Sequence, residues 1–294
     1  MTKAPTLPGA AAPSTASIPG EVYQLGRHRL VCGDSTDPDV ISHLMDGARA
    51  DLLLTDPPYN VNYSSTAGAI ANDNKTDPRF LHFLSAAFSA ADRAMRPGAA
   101  FYIWHASSES FNFLAAARSV GWRVRQTLIW VKPTFVLSRQ DYHWRHEPCL
   151  YGWKEGAAHT WAADRRQSTV LDFAKPVSSP DHPTMKPLQI FAYLIGNSTR
   201  PGEAVLDPFA GSGTTALAAE RLGRRAFLAE LDPKFCDVIR RRWAETVHGE
   251  GCDWRDLTAP PPHTHLRGIP DRSLNQKPPD QHQTKGDRCS RDNP

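Results

Sequence analysis

Strand patterns and helix patterns alternate along the chain, and this alternation constrains the fold more than any other feature of the sequence. Residues 51–55, DLLLT, form a short apolar run typical of a buried strand, and residues 80–95 place apolar side chains at helical spacing. The same order returns at residues 203–207, EAVLD, and in the helix pattern after them. The sequence therefore predicts an α/β fold with a largely parallel sheet and helices on both faces.

The two ends of the chain differ in composition from its middle. Residues 1–20 consist mostly of Ala, Pro, Ser, Thr and Gly, and residues 260–294 contain seven prolines among polar and charged residues. Such segments bury too little apolar surface to offset the entropy lost on ordering. We therefore expect disordered tails at 1–20 and 258–294 around one folded domain at 21–257.

Several classes of protein do not fit this composition. No apolar run approaches the roughly 20 residues of a membrane span, and the N-terminus lacks the apolar core of a secretory signal, so we expect a cytoplasmic chain without membrane contact. The five cysteines show no C-x-x-C spacing, which indicates neither a zinc site nor a disulfide framework. His143, His146 and Glu147 lack further ligands at suitable spacing, and we predict no metal site.

Basic and aromatic residues concentrate between residues 118 and 180. This stretch holds ten Lys or Arg against five Asp or Glu, and five of the eight tryptophans. Such residues suit contact with phosphates and stacking on bases, although a solvated basic face over an aromatic core has the same composition. Regular periodicity is lost from 132 to 183, which we interpret as a loop-rich insertion.

The run at 51–55 ends on DPPY, a stiff and polar corner. Two consecutive prolines, Pro57 and Pro58, fix φ and lack N–H donors. The Asp56 carboxylate, the Pro57 carbonyl and the Tyr59 ring are therefore held with little freedom. Such a corner serves either as a tight turn or as a binding site.

The strand pattern at 203–207 ends on a glycine-rich turn. Gly211 and Gly213 permit positive φ and let a ligand approach the backbone closely, and Thr214 or Thr215 is placed to cap the following helix. Glu230 follows Gly211 by 19 residues, the spacing at which an acid holds the ribose hydroxyls of a bound nucleoside. The third glycine of the dinucleotide fingerprint is absent, so a nucleoside without phosphate fits better.

Together these motifs resemble those of DNA amino-methyltransferases that use S-adenosylmethionine. DPPY is similar to their catalytic motif, DPFAGSGTT to their cofactor loop, HPTMKP at 182–187 to the segment before that loop, and GDST at 33–36 to a segment that contacts the cofactor. DPPY precedes the glycine turn, as in the β order of motifs, and residues 141–154 resemble prophage-like members. The resemblance covers about residues 21–245. It implies a Rossmann-like class I fold with a mostly parallel seven-stranded sheet, and target recognition within 132–183.

The resemblance implies a chemistry for the DPPY corner. Asp56 and the Pro57 carbonyl, held by Pro58, would accept hydrogen bonds from an exocyclic amine, and Tyr59 would stack on a base flipped out of DNA. Relatives that act on cytosine more often carry Ser in place of this Asp, which favours N6 of adenine over N4 of cytosine, the alternative target. An alternative of another class is a non-catalytic module that binds cofactor or DNA.

Other roles follow from the resemblance alone. The implied cofactor is S-adenosyl-L-methionine and the implied partner is double-stranded DNA; a homodimer and a companion restriction endonuclease are further partners that the sequence does not show. Residues 62–78 form either a lid over the flipped nucleotide or a surface connector. The implied cofactor-binding residues are Asp34, Asp207, Phe209, Ala210, Gly211, Ser212, Gly213, Thr214, Glu230, Thr184 and Lys186. The implied DNA-contacting residues are Asn60, Tyr63, Trp144, Arg145 and His146.

Overall fold

The computed structural model describes residues 16–61, 64–65, 68–69, 72–137, 141–174 and 186–261. None of the helices among them is both long enough and apolar enough to span a bilayer. The described strands are β1 (Val22–Leu25), β2 (His28–Cys32), β3 (Ala50–Thr55), β4 (Ser64–Ser65), β5 (Gly68–Ala69), β6 (Met95–Trp104), β7 (Arg123–Val136), β8 (Trp144–Trp153), β9 (Val170–Asp172), β10 (Ala204–Asp207) and β11 (Arg225–Glu230). The described helices are α1 (Pro38–Met45), α2 (Asp77–Ala94), α3 (Ser110–Ser119), α4 (Leu188–Ser198), α5 (Thr214–Arg221), α6 (Pro233–His248) and α7 (Trp254–Leu257).

One mixed sheet organises the molecule, with the strand order β1-β2-β11-β10-β3-β6-β8-β7-β9. The strands from β2 to β6 in this order are parallel neighbours. β8 lies antiparallel between β6 and β7, and β1 pairs antiparallel with β2 at one edge. The predicted α/β class is confirmed. The expected number of seven strands is wrong for the described chain, because β1 and β9 extend the two edges of the sheet to nine strands.

Helices cover both faces of the central strands, which explains their continuous apolar sequence. Alternate leucines of β3 point to opposite faces: Leu53 joins the core under α1, α2 and α3, whereas Leu52 and Leu54 join the core under α4. α5 and α6 build a third core with β2 and β11. The carboxyl ends of the parallel strands are thereby held at one rigid edge.

The stretch that we expected to be a loop-rich insertion contains a strand of the sheet interior. β8 pairs with β6 on one side and β7 on the other, and its residues Cys149 and Leu150 are buried. Gly152 is required there, because a Cβ atom would collide with the Arg123 carbonyl and the Phe101 ring. Proline and glycine within the buried part of this strand account for the missing periodicity.

Most tryptophans of the basic, aromatic stretch belong to the protein core. Trp122 and Trp130 are buried, and Trp153 is partly buried. Trp144 and Trp161 are 37% and 38% exposed. The aromatic excess of this stretch is therefore chiefly structural, and only these last two of its five tryptophans present an exposed ring.

The predicted tail boundaries are wrong by a few residues at both ends. Asp237 on α6 accepts a hydrogen bond from the backbone N–H of Ser17 at 2.8 Å. Arg240 on the same helix donates to the hydroxyl of Thr258, which is fully buried, at 2.8 Å. Residues 16–20 and Thr258 therefore pack on the folded body. Most of the remainder of both tails lies outside the described residues.

Candidate active site

The two unusual turns of the sequence meet at one edge of the sheet. DPPY and the glycine turn leave the carboxyl ends of β3 and β10, which are adjacent and parallel. The chain continues from β3 to β6 on one side and from β10 to β11 on the other, and such a reversal is where open α/β sheets bind ligands. The Thr55 hydroxyl donates to the Asp207 carboxylate at 2.9 Å, so the two strand ends are fastened together.

Asp207 is buried and organises the glycine turn from below. Its carboxylate also accepts hydrogen bonds from the Thr215 hydroxyl at 2.5 Å and from the Phe209 N–H at 3.2 Å. Burial raises the pKa of Asp207 to about 6. The capping role predicted for Thr214 or Thr215 is wrong: Gly213 occupies the N-cap of α5 and no described side chain caps it, because the Thr215 hydroxyl is directed to Asp207.

The glycine turn and Glu230 form one unit. Gly211 and Gly213 have φ values of 54° and 82°, as the turn requires. Glu230, at the end of β11, accepts hydrogen bonds from the Gly211 N–H at 2.8 Å and the Asp232 N–H at 2.9 Å. Burial raises the pKa of Glu230 to about 7. Each carboxylate oxygen has a second lone pair, so Glu230 can accept further hydrogen bonds from ribose hydroxyls.

Asp34 lies at the next strand end along this edge. The Gly33 N–H donates to the Glu230 carbonyl at 2.9 Å, which places the end of β2 beside the end of β11. One oxygen of Asp34 accepts from the Thr36 N–H at 2.9 Å and from its hydroxyl at 2.7 Å, so the carboxylate is oriented. A positive-φ turn and two oriented acids on successive strands match the hydroxyls and amine of an adenine nucleoside.

Asp56 lies on the other side of the turn, and both of its oxygens have partners. Oδ1 accepts a hydrogen bond from the Tyr59 hydroxyl at 2.5 Å. Oδ2 accepts one from Nζ of Lys186 at 2.5 Å. Lys186 is only 5% exposed, and it was predicted to lie near the cofactor. Its ammonium contacts the DPPY corner, where it also donates to the Tyr59 hydroxyl at 2.7 Å.

Glu147 is a site residue that sequence reasoning missed. It lies on β8, and its carboxylate contacts Nζ of Lys132 at 2.5 Å and Nζ of Lys186 at 3.1 Å. Burial alone would raise the pKa of Glu147, but the two ammonium groups outweigh burial and lower this pKa to about 2. The sequence offered one signal, an acid inside an otherwise apolar run, which becomes recognisable only once that run is known to be a central strand.

Comparison with known proteins identifies the family. A family model described as DNA methylase, covering the N6 and N4 methyltransferases, matches residues 50–241. The putative methylase YubD of Escherichia coli strain K12 is 32% identical over 198 residues, which cover 67% of this chain and 83% of YubD. The chain belongs to the N6/N4 DNA methylase family. The predicted membership of the DNA amino-methyltransferase family is thereby confirmed, and this methylase is a DNA methyltransferase.

Solved structures share the fold of the methylase. The M1.HpyAVI–SAM complex has a TM-score of 0.55 at 21% identity, with 72% of this chain and 98% of that chain covered. The PvuII DNA methyltransferase, described as cytosine-N4-specific, has a TM-score of 0.63 at 15% identity, with 83% and 94% covered. At these identities the likeness concerns the fold alone.

Of the residues predicted to contact DNA, Asn60 serves the loop beside the methylase site. It has a φ of 58°, its side-chain oxygen accepts from the Lys75 N–H at 2.6 Å, and its amide donates to the Lys75 carbonyl at 3.0 Å. These bonds join Asn60 to Lys75. Tyr63 and Thr184 lie outside the described residues.

Trp144, Arg145 and His146 belong to a hairpin that projects from the methylase sheet. β6 ends at Trp104, which lies level with Leu128 of β7 in the sheet. β7 continues beyond this level to Val136. The end of this hairpin, residues 129–137 and 141–148, is called the projecting hairpin here. Its described large apolar side chains include several that are exposed: Phe135 at 54%, Leu137 at 79%, Tyr142 at 91% and Trp144 at 37%.

Proposed function

We propose that this methylase transfers a methyl group from S-adenosyl-L-methionine to the exocyclic N6 of an adenine flipped out of double-stranded DNA. The observation that carries the proposal is the position of the oriented Asp56 carboxylate beside the glycine turn, on the next strand of the sheet. A nucleoside-binding unit and an amine-accepting corner are thus neighbours at one sheet edge. This is the arrangement that direct transfer between two bound molecules requires.

The residues around the glycine turn fit the adenosine part of the donor. Glu230 would accept hydrogen bonds from the ribose hydroxyls, Asp34 would accept from the adenine amine, and the backbone of Phe209–Gly213 would contact the amino-acid part. When bound, the donor supplies a methyl carbon made electrophilic by its sulfonium. Asp207 holds Thr55 and Thr215 and thereby keeps the turn in place.

The DPPY corner addresses the weakness of an exocyclic amine as a nucleophile. The lone pair of such an amine is delocalised into the ring. If Asp56 and the Pro57 carbonyl each accept one amine hydrogen, the nitrogen moves toward tetrahedral geometry and its lone pair faces the methyl carbon. Bound S-adenosyl-L-methionine would supply the methyl carbon and keep the electron pair of the carbon–sulfur bond that breaks, and Asp56 would accept the proton that the nitrogen loses on methylation.

The projecting hairpin supports DNA as the macromolecule bound. It extends beyond the strand end that carries the site and presents exposed aromatic rings, which suit stacking against bases. Arg145 lies on it and donates from Nε to the Lys132 carbonyl at 3.1 Å, which orients a cation on this hairpin. We infer that this element contacts the duplex next to the flipped base.

The identity of the base rests on the first residue of the motif. Asp at position 56 favours adenine by the resemblance stated above. The second candidate is N4 of cytosine, because its amine would make the same demands on the DPPY corner and the matching family model covers N4 as well as N6 methyltransferases. A non-catalytic binding module is the third possibility; the intact Asp56-Pro57-Pro58-Tyr59 motif argues against it.

Sequencing that detects modified bases tests the proposal. The chain is expressed in bacteria that lack DNA methyltransferases of their own, beside the Asp56→Ala variant and the control Asp256→Ala, which removes an exposed acid of α7. We expect N6-methyladenine at one recurring sequence with the natural chain and the control, and none with Asp56→Ala. Methyl groups on cytosine would select the second candidate, and modification that persists in Asp56→Ala would refute the catalytic assignment.

A further inference from the structure

Lys186 already donates to Asp56, the carboxylate that would accept a target amine. An ammonium has three N–H donors. Those of Lys186 reach Asp56 Oδ2 at 2.5 Å, the Tyr59 hydroxyl at 2.7 Å and Glu147 Oε2 at 3.1 Å. Asp56 Oδ1 already accepts from the Tyr59 hydroxyl. Both oxygens of the acid therefore have resident donors, and an amine that approaches Oδ2 meets the Lys186 ammonium there.

Glu147 provides a second site for the same ammonium. Lys132 contacts Oε1 of Glu147 at 2.5 Å, which holds the carboxylate and leaves Oε2 directed to Lys186. The side chain of Lys186 is 4% exposed and that of Glu147 is 19% exposed, so a charge left without a partner there would be costly. The charges of two ammonium and two carboxylate groups cancel, and the net charge stays the same if Nζ of Lys186 moves from Asp56 toward Glu147.

We propose that Lys186 is a positioning residue that fills the amine-accepting site of Asp56 and withdraws onto Glu147 when the target base enters. This inference rests on the proposed function. The entering amine then donates to Oδ2 of Asp56 in place of the ammonium, which stays paired with Glu147. Lys186 thereby keeps the Asp56 carboxylate oriented until a base with a suitable hydrogen-bond donor replaces it.

The test compares two unmethylated duplexes that contain the target sequence. One has adenine at the target position, and the other has the unsubstituted base purine. Purine stacks like adenine but lacks the exocyclic amine. Dissociation constants are measured by fluorescence anisotropy with S-adenosylhomocysteine present, and the ratio of the purine value to the adenine value is compared between variants. The change in this ratio between variants isolates the amine contact, because the other contacts with the duplex and the different cost of unpairing the two bases are the same for every variant.

Two variants should move the ratio in opposite directions. Lys186→Met removes the competing ammonium at similar side-chain length, so the ratio should rise by about tenfold, the contribution of one hydrogen bond to a charged group. Glu147→Gln removes the carboxylate that receives Lys186, so the ammonium stays on Asp56 and the ratio should fall. If Lys186 had a purely structural role, the two variants would not change the ratio in opposite directions.

Lys154→Met is the matched control. It removes a partly buried ammonium that contacts Asp92 at 3.0 Å near the start of β6, away from the DPPY corner, and should leave the ratio unchanged. Thermal denaturation verifies that the variants fold. If Lys186→Met does not fold, the ratio measured for Glu147→Gln decides, and it should fall.

An unchanged ratio in both variants overturns the inference. Weaker S-adenosylhomocysteine binding by Lys186→Met with no change in the ratio also overturns it. Absence of adenine methylation by the natural chain would instead contradict the proposed function.

Discussion

Glu230 should make cofactor binding depend on pH near neutrality. Its folded-state pKa is about 7 because burial disfavours the charged carboxylate, an effect that the nearby Asp232 reinforces and the N–H groups of Gly211 and Asp232 partly oppose. Hydroxyl donors of a bound ribose favour the charged form. Affinity should therefore increase as pH rises through 7. A carboxyl with this pKa is about nine-tenths charged at pH 8 and about one-tenth charged at pH 6, so the dissociation constant should increase up to about tenfold between pH 8 and pH 6.

Isothermal titration with S-adenosylhomocysteine from pH 6 to pH 8 measures this effect. The matched variant is Glu230→Gln, which retains Asp207, whose pKa is about 6, and every other titrating group. We expect the variant to bind about 10- to 100-fold more weakly at pH 8, because hydrogen bonds to a charged acceptor are lost, and to lose most of the pH dependence. A natural chain with constant affinity over this range, or a variant with an unchanged pH profile, would refute the role of Glu230.

Three further predictions concern the turn, the corner and the hairpin. Gly213→Ala should lower the free energy of unfolding by about 1–3 kcal/mol in thermal denaturation, because φ is 82° and the new Cβ would lie 3.0 Å from Ile239; an unchanged melting temperature would contradict this. Tyr59→Ala should weaken binding of target DNA by about 1–3 kcal/mol, whereas Tyr59→Phe keeps the stacking ring; equal losses in anisotropy measurements would argue against stacking. Arg145→Ala should reduce the slope of log affinity against log salt by about 1, and an unchanged slope would exclude a phosphate contact.

The elements next to the site were predictable because their signals are local. β3 covers Ala50–Thr55 and β10 covers Ala204–Asp207, where the strand patterns at 51–55 and 203–207 predicted them. α6 begins at Pro233 with Asp232 as its cap, and the Asp232 side chain accepts from the Lys234 N–H at 2.8 Å. Proline, glycine and capping acids act on their immediate neighbours, so their effects can be deduced without knowledge of the tertiary structure.

β8 was not predictable because its environment comes from distant parts of the chain. Pro148 and Gly152 interrupt the strand pattern, and they are tolerated only because β6 and β7 enclose the strand from both sides. Glu147 is likewise stabilised by Lys132 and Lys186, which approach from other segments. Local propensity indicates a loop there, and tertiary pairing overrides it.

The same limit applies to the DPPY corner. The sequence indicated that Asp56 and Tyr59 would be held rigidly, and the structure shows their mutual hydrogen bond. The sequence contained no indication that Lys186, 130 residues further along the chain, would contact Asp56. A contact of that separation depends on how α4 packs against β3 and β6, which is a property of the assembled sheet.

The most direct test of the account is a crystal structure of the methylase with S-adenosylhomocysteine and a duplex that contains the target sequence. The account predicts an everted adenine stacked on Tyr59, its amine nitrogen about 3 Å from an Asp56 oxygen, and the thioether sulfur between the amine and the glycine turn. An adenine that remains paired in the duplex, or an amine bonded to other residues with Asp56 out of reach, would contradict it.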